Sequence, residues 1–377
     1  MGRLHTRFPS RTWLGVIIMA LIAGCRTNGT PTASPPLTAE LPPTPSTAPE
    51  APAPTQAVMP PPTIASPDPG TETTTPRPAP TETTAAGAVE ALRNGAWQEG
   101  APMPTARSEM PAAVLGDLIY VPGGFGGERT LEAYDPVGDS WRRLADMPEG
   151  RHHLMATAYA GRLYVFGGAR TGGWEPTATA WAYDPVADAW ADLAPMPEAR
   201  MAGAAVTLDG FLYVVAGAGG SQALLRYDPT SDAWTILAAP TQSREHTAAV
   251  ALDGRIYALS GRWSDVGELS SVDVYDPVHD TWTAGPSMNV ARGGLAAAVL
   301  QDHIVVAGGE VIITGRDTLA SVELFSPSTE EWAFAAPLPV ALHGVPAAVV
   351  NGTLYVLGGS DRAGAADNRG RVLFYQP

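Results

Sequence analysis

Residues 183–217 read YDPVADAWADLAPMPEARMAGAAVTLDGFLYVVAG, and this stretch decides the fold. It opens on the turn Tyr183-Asp184-Pro185. Trp190 follows six residues after the Asp, Arg200 ten after the Trp, and Tyr213 thirteen after the Arg, before the small pair Ala216-Gly217. The same order and spacing recur along the chain. Turns stand at Tyr134-Asp135-Pro136, Tyr227-Asp228-Pro229 and Tyr275-Asp276-Pro277, weaken to Phe325-Ser326-Pro327 and end as Tyr375-Gln376-Pro377. The Trp position holds Trp141, Trp234, Trp282 and Trp332, and an early Trp97 has no turn before it. The Arg position holds Arg107, Arg151, Arg244 and Arg292, with Leu342 in the sixth copy. Six copies with a period of roughly 44 to 50 residues mark a repeat architecture.

Each copy reads as four strands. A small-residue strand follows the Arg, as in Ala204-Ala205-Val206-Thr207. Asp209-Gly210, Asp253-Gly254 and Asn351-Gly352 are strong hairpin dipeptides. An apolar second strand, such as Leu163-Tyr164-Val165-Phe166, stops at Gly167-Gly168. The third strand ends at Tyr-Asp-Pro and the fourth carries the Trp. Four antiparallel strands per repeat make one blade of a β-propeller. The first strand is expected nearest the axis, where its common position is always small: Ala112, Ala156, Ala205, Ala249, Ala297 and Ala347. The chain stops just after a third strand, and the folded part begins at Ala96-Trp97-Gln98 with a fourth strand. That N-terminal strand is expected to complete the last blade.

The Gly-Gly pair, the Tyr-Asp-Pro turn, the Trp and the Met-Pro-x-x-Arg element (Met147-Pro148 to Arg151, Met196-Pro197 to Arg200) resemble the kelch repeat. The resemblance covers about residues 95–377. It implies an all-β, six-bladed kelch-type β-propeller, closed by an N-terminal strand and preceded by a disordered linker.

The N-terminus reads differently. Arg3, Arg7 and Arg11 precede an apolar run, Trp13 to Gly24, too short to span a bilayer as a helix. The run ends at Ile22-Ala23-Gly24-Cys25. Small residues before the sole cysteine resemble a bacterial lipoprotein signal over residues 1–25, with Cys25 as the site of lipid attachment. Residues 26–94 are rich in Pro, Thr and Ala and are expected to form a disordered stalk that holds the propeller, residues 95–377, off the membrane. This places the protein outside the cytoplasm, anchored to the cell envelope or surface through its lipid alone. A single cysteine excludes an internal disulfide and a thiolate metal cluster. The net charge of −15 argues against nucleic acid.

Length variation is confined to one loop. From the second-strand Tyr position to the third-strand aromatic the gap is 14, 19, 14, 18, 20 and 20 residues. This loop opens on the same face as the connection that ends at the Arg, and variable loops on a rigid scaffold are where binding usually resides. The ligand-binding candidates are therefore Arg107, Arg151, Arg200, Arg244 and Arg292, expected to ring the channel mouth, unless they satisfy carbonyls or acids between blades. Beside them stand Glu109, His152, His153, Glu245, His246 and His343. The long loops add Arg170, Trp174, Arg262, Trp263, Asp265, Glu310, Arg316, Asp361 and Arg362.

A copper radical oxidase of the galactose-oxidase type shares a kelch-like propeller, but it needs a Tyr crosslinked to Cys, and the one Cys lies in the leader. No His-x-x-x-His or comparable spacing points to a metal site, and no cofactor is implied. The reading is a non-catalytic interaction module, monomeric, that takes a protein, peptide or carbohydrate ligand on its Arg-ringed face. The alternative is an exported sugar-active enzyme resembling a sialic-acid mutarotase or epimerase. In it the mouth arginines would hold the sugar carboxylate, and Glu109, Glu245, His246 or His153 would serve as acid and base.

Overall fold

A computed structural model describes residues 85–364 and 367–377. The chain divides into units 1–77 and 78–377, and all described residues belong to the second. The leader, Cys25 and the stalk as far as residue 84 lie outside the described residues. Among the described residues no helix is long and apolar enough to cross a membrane.

Six four-stranded antiparallel sheets form the blades of a β-propeller. The third blade shows the pattern, with strands Ala204–Leu208, Phe211–Val215, Leu224–Asp228 and Ala233–Leu237 in spatial order. Asp209 and Gly210 both take positive φ, 49° and 82°, the geometry that lets a two-residue hairpin follow the twist of its strands. In the sixth blade, Ala347–Val350, Thr353–Leu357 and Val372–Gln376 come from the end of the chain. The fourth strand, Ala96–Glu99, comes from the start of the folded part. Trp97 lies opposite Tyr375, as ring closure by an N-terminal strand requires.

Each blade buries its inner strands against both neighbours, giving six apolar clusters, one per interface. Val206, Tyr213 and Val215 of the third blade meet Ile256, Ala258 and Tyr275 of the fourth. Met103, Met110, Ile119 and Tyr134 close the circle against Tyr355, Leu357 and Val372 of the sixth. The predicted small position lines the axial channel: Ala112, Ala156, Ala205, Ala249, Ala297 and Ala347 all border it.

The Tyr-Asp-Pro and Trp elements act together as a clamp between blades. The Tyr183 hydroxyl donates to Asp188 Oδ1 at 2.6 Å, and the same oxygen accepts from Ala145 N of the preceding blade at 2.8 Å. Trp190 Nε1 then donates to the carbonyl of that same Ala145 at 3.0 Å. Both backbone groups of one residue are thereby satisfied by the next blade. Tyr134, Tyr227 and Tyr275 repeat the arrangement with Asp139, Asp232 and Asp280. The clamp weakens where Phe325 lacks the hydroxyl, although Trp332 still donates to Pro286 O at 2.9 Å.

One boundary differs from expectation. Residues 85–94, assigned to the stalk from composition, form the helix Ala85–Asn94. Leu92 of this helix is buried in the apolar cluster between the fifth and sixth blades. The Tyr375 hydroxyl donates to Leu92 O and accepts from Gly95 N, both at 2.7 Å. The last Tyr of the repeat thus holds the helix where earlier copies hold an Asp.

The five repeat arginines also differ from expectation: they do not ring the mouth. Arg107, Arg151, Arg200, Arg244 and Arg292 are completely buried within the blades. Arg292 donates to Gly308 O and Ser321 O at 2.8 and 2.9 Å and pairs with Glu323 at 2.5 Å. Arg107 with Glu132 and Arg244 with Asp273 follow the same plan. In the second and third blades the third-strand acid is replaced by Trp181 and Leu225, and the arginine turns to a nearby acid instead. Arg151 pairs with Glu149 at 2.8 Å and Arg200 with Glu198 at 2.5 Å. In the sixth blade both positions are apolar, Leu342 and Leu373, and both are buried in one cluster.

A buried charge stripped of its partner is costly, whereas an apolar pair of similar volume often substitutes well. Arg292→Leu should therefore destabilise the protein by about 3–5 kcal/mol. Adding Glu323→Leu, which copies the sixth blade, should recover most of that loss in chemical denaturation. A double variant no more stable than Arg292→Leu would contradict this account.

Candidate functional site

The second residue after each Arg position adopts a left-handed backbone. These residues are Glu109, His153, Ala202, His246, Gly294 and Gly344, with φ between 47° and 62°. Each donates its N–H to the carbonyl of the equivalent residue one blade earlier, at 2.6 to 2.9 Å, and Glu109 donates to Gly344. The six bonds form a closed circle around the axis. The residue before each of them pairs with the residue that follows the Gly pair or its equivalent. The pairs are Ser108 with Phe125, His152 with Ala169, Met201 with Ala218, Glu245 with Arg262, Gly293 with Glu310, and His343 with Ser360. Two concentric positions per blade therefore face one opening.

Seven side chains join around that opening. Glu109 Oε1 lies 3.4 Å from His343 Nδ1, which lies 3.3 Å from Glu310 Oε2. Glu310 Oε1 accepts from Arg262 Nη1 at 2.6 Å, and Arg262 Nε donates to Glu245 Oε1 at 2.8 Å. Glu245 Oε2 is 2.8 Å from His246 Nδ1, His246 Nε2 is 3.0 Å from His153 Nε2, and His153 Nε2 is 3.5 Å from Glu109 Oε2. The chain of contacts returns to its starting residue. All of these residues except Glu245 line a cavity of about 240 Å³, together with Trp174, Phe125 and Ile312.

Burial and charge compete in this ring. Burial alone would raise the Glu109 carboxyl, but His153, His343 and His246 around it hold it far below the usual carboxylate range. Burial pushes the His153 imidazole down to about 3, against the pull of Glu109. His343 moves the other way: burial would lower it, and the carboxylates of Glu109 and Glu310 raise it.

Trp174 is 61% exposed and closes the rim. Its ring lies 5.8 Å from Phe125, 5.3 Å from His152 and 5.2 Å from His153. Phe125 stacks on His152 at 4.1 Å. Phe125 escaped the sequence reading, although its place directly after Gly123-Gly124 marks it, as the same place marks Glu310 after Gly308-Gly309.

The structure thus brings together Glu109, His152, His153, Glu245, His246, His343, Trp174, Arg262 and Glu310. Trp263, Arg316, Arg170, Asp265 and Asp361 are not among the cavity-lining residues, and Arg362 contributes only its carbonyl, which accepts from His343 Nε2 at 2.9 Å. No local spacing pointed to a metal site, yet Glu109, His153 and His246 place ligand atoms within 4.8 Å of one another. They come from three different blades, which local spacing cannot register.

A closed ring of six four-stranded blades with its functional groups at one axial mouth defines the protein as a six-bladed β-propeller. The Kelch motif model matches residues 106–148, 150–197, 243–289 and 291–339, and the chain is a kelch-repeat protein. It is similar to Kelch-like protein terF of Aspergillus terreus, 38% identical over 74 residues, 18% of this chain and 16% of that protein. It is 40% identical to Kelch-like protein 35 of Homo sapiens over 88 residues, 22% of this chain and 13% of that protein. The matches thus span only a small part of these relatives' lengths. The solved structure of YjhT superposes with a TM-score of 0.63 at 18% identity, covering 72% of this chain and 96% of that one. At that identity the likeness concerns the fold.

The mouth also sets a pH dependence. Burial would raise the Glu245 carboxyl, but His246 and Arg262 outweigh it and bring it from 4.5 to about 2. Such a group binds fewer protons folded than unfolded. Its stabilisation is complete above pH 4.5 and is lost as pH falls toward 2. Across that window the thermal midpoint should fall less steeply in Glu245→Gln than in the native protein, followed by circular dichroism. Equal slopes would count against this role for Glu245.

Proposed function

We propose that the protein is an exported, lipid-anchored interaction module that engages a protein, peptide or glycan ligand on the loop face around the axial mouth. Trp174 carries the recognition part of this reading. Its ring is left largely in water, backed by Phe125, His152 and His153, over a cavity that Glu109, His153, His246 and Arg262 border. An aromatic platform beside hydrogen-bonding groups suits the stacking of a sugar ring or a ligand side chain. Kelch propellers commonly mediate protein interactions, which supports a binding role without choosing the ligand.

A second reading, the sugar-active enzyme, is favoured by one observation: Glu109 and His153 form an acid and base 3.5 Å apart. Against it, the five arginines expected to hold a sugar carboxylate are buried, and Arg262 is already paired with Glu245 and Glu310.

Peptide and glycan arrays probed with the purified protein separate the possibilities. Whatever ligand binds, Trp174→Ala should weaken it roughly tenfold or more, the loss expected of an aromatic anchor. Binding indifferent to Trp174 would move the site elsewhere. Anomer exchange of acidic sugars, followed by NMR, should run no faster than in buffer; catalysed exchange would establish the enzyme reading instead.

The anchor rests on Cys25 and the leader preceding it. Cell fractionation should find native protein with membranes and Cys25→Ala in the soluble fraction. A Cys25→Ala variant that stays with membranes would end the lipid assignment.

A further inference from the structure

The contacts around His153 assign its proton. His152 Nε2 lies 3.0 Å from Gly173 O, and a carbonyl only accepts, so His152 carries its proton on Nε2. Its Nδ1 is then an acceptor, and His153 Nδ1, 2.7 Å away, must donate to it. On the other side, Glu245 Oε2 lies 2.8 Å from His246 Nδ1 without making a hydrogen bond to it, so the pair is electrostatic and leaves the tautomer of His246 open. A neutral imidazole has one proton to give. His153 has therefore turned its proton outward, and its Nε2 lone pair faces His246 Nε2 across 3.0 Å. Glu109 Oε2 adds a carboxylate 3.5 Å from His153 Nε2. A lone pair and an anion converging beside a second imidazole in a buried space favour a cation between them. A proton can bridge the two nitrogens alone; a metal ion engages all three donors.

We propose that Glu109, His153 and His246 form a binding site for a divalent transition metal of the zinc type, with its remaining coordination position open to the axial cavity. In a tetrahedral zinc site with bonds of about 2.0–2.1 Å, neighbouring ligand atoms stand about 3.4 Å apart. The separations of 3.0 and 3.5 Å bracket that value. Two imidazoles and one carboxylate favour zinc-like ions over calcium or magnesium, which prefer all-oxygen shells. His152 stands where the outer partner of a metal-bound histidine belongs, fixing the tautomer of His153, and Glu245 Oε2 lies 2.8 Å from the outer nitrogen of His246. All three ligands sit on the closed backbone circle, so their Cα positions are set before any ion arrives. The mouth also carries Glu109, Glu245 and Glu310 against the guanidinium of Arg262, and a dication balances that excess. With three protein ligands, the ion would keep a place for an oxygen donor from whatever enters beneath Trp174. The inference goes beyond the interaction-module reading and stands whether or not that reading holds.

The test uses the purified protein, stripped with a chelator and titrated with zinc against a chromophoric competitor, with metal content read by mass spectrometry. One zinc per chain is expected. His246→Ala should lower affinity roughly 100-fold or more, and Glu245→Gln about 10- to 100-fold. His279→Ala, which removes an exposed histidine in the Asp276 turn, should leave binding unchanged. Cobalt(II) bound to the native protein should give the intense visible bands of tetrahedral coordination, a readout that needs no variant. Native protein that takes up no stoichiometric zinc, or a folded His246→Ala that binds zinc as tightly as the native chain, would overturn the proposal.

Discussion

Six backbone hydrogen bonds, one from each blade to the next, run in an unbroken circle at the axial mouth. Four of the six residues in this circle are not glycine, and each holds a left-handed backbone that costs about 1–2 kcal/mol. A circle without ends leaves none of its six donors or acceptors unpaired, and that satisfaction offsets the strain. The left-handed turn also aims the side chains of Glu109, His153 and His246 at the same opening. Where the side chains are large, the circle makes room with glycine: a Cβ on Gly344 would stand 2.6 Å from Glu109 Oε1. The site is therefore a product of ring closure, and its geometry is only as good as the agreement among all six blades.

Around that circle the scaffold solves one problem in three ways. Each blade must fill the interior position where the repeat places its arginine. Three blades do so with an arginine and a third-strand acid, two with an arginine and an acid just before it, and the sixth uses leucine at both positions. The correlated loss of Arg and acid in the sixth blade follows from electrostatics, since neither charge is tolerable alone in that interior.

Much of the fold was legible because the repeat displays it several times over. The spacing from Tyr183 through Trp190 and Arg200 to Tyr213 located strands, and the constant alanine at positions such as Ala205 located the axis. What spacing could not convey was direction. Arg200 recurs where a mouth residue should be, yet its side chain runs back into the blade. The third-strand acids Glu132, Asp273 and Glu323 point to this in three copies, but Trp181 and Leu225 hold that position beside Arg151 and Arg200, so the pattern is broken where it was needed. The His and Glu residues of the mouth were legible as departures from the repeat. Their meeting was not, because Glu109, His153 and His246 are one to three repeats apart in sequence and come together only across the axial mouth. The helix Ala85–Asn94 was hidden by its small, alanine-rich composition, which gave no hint that Leu92 had a place in the core.

The pairing of Ala96–Glu99 with Val372–Gln376 joins segments from opposite ends of the folded part. A chain made from its N-terminus must keep this first strand waiting until the last one arrives. Loop-closure entropy for a separation of this length is met only once, at the end, when neither ordered blade nor axial circle can form without the other. Closure of the axial circle thus coincides with the pairing of these two strands, so a molecule that lacks either one leaves the last blade incomplete and the circle open.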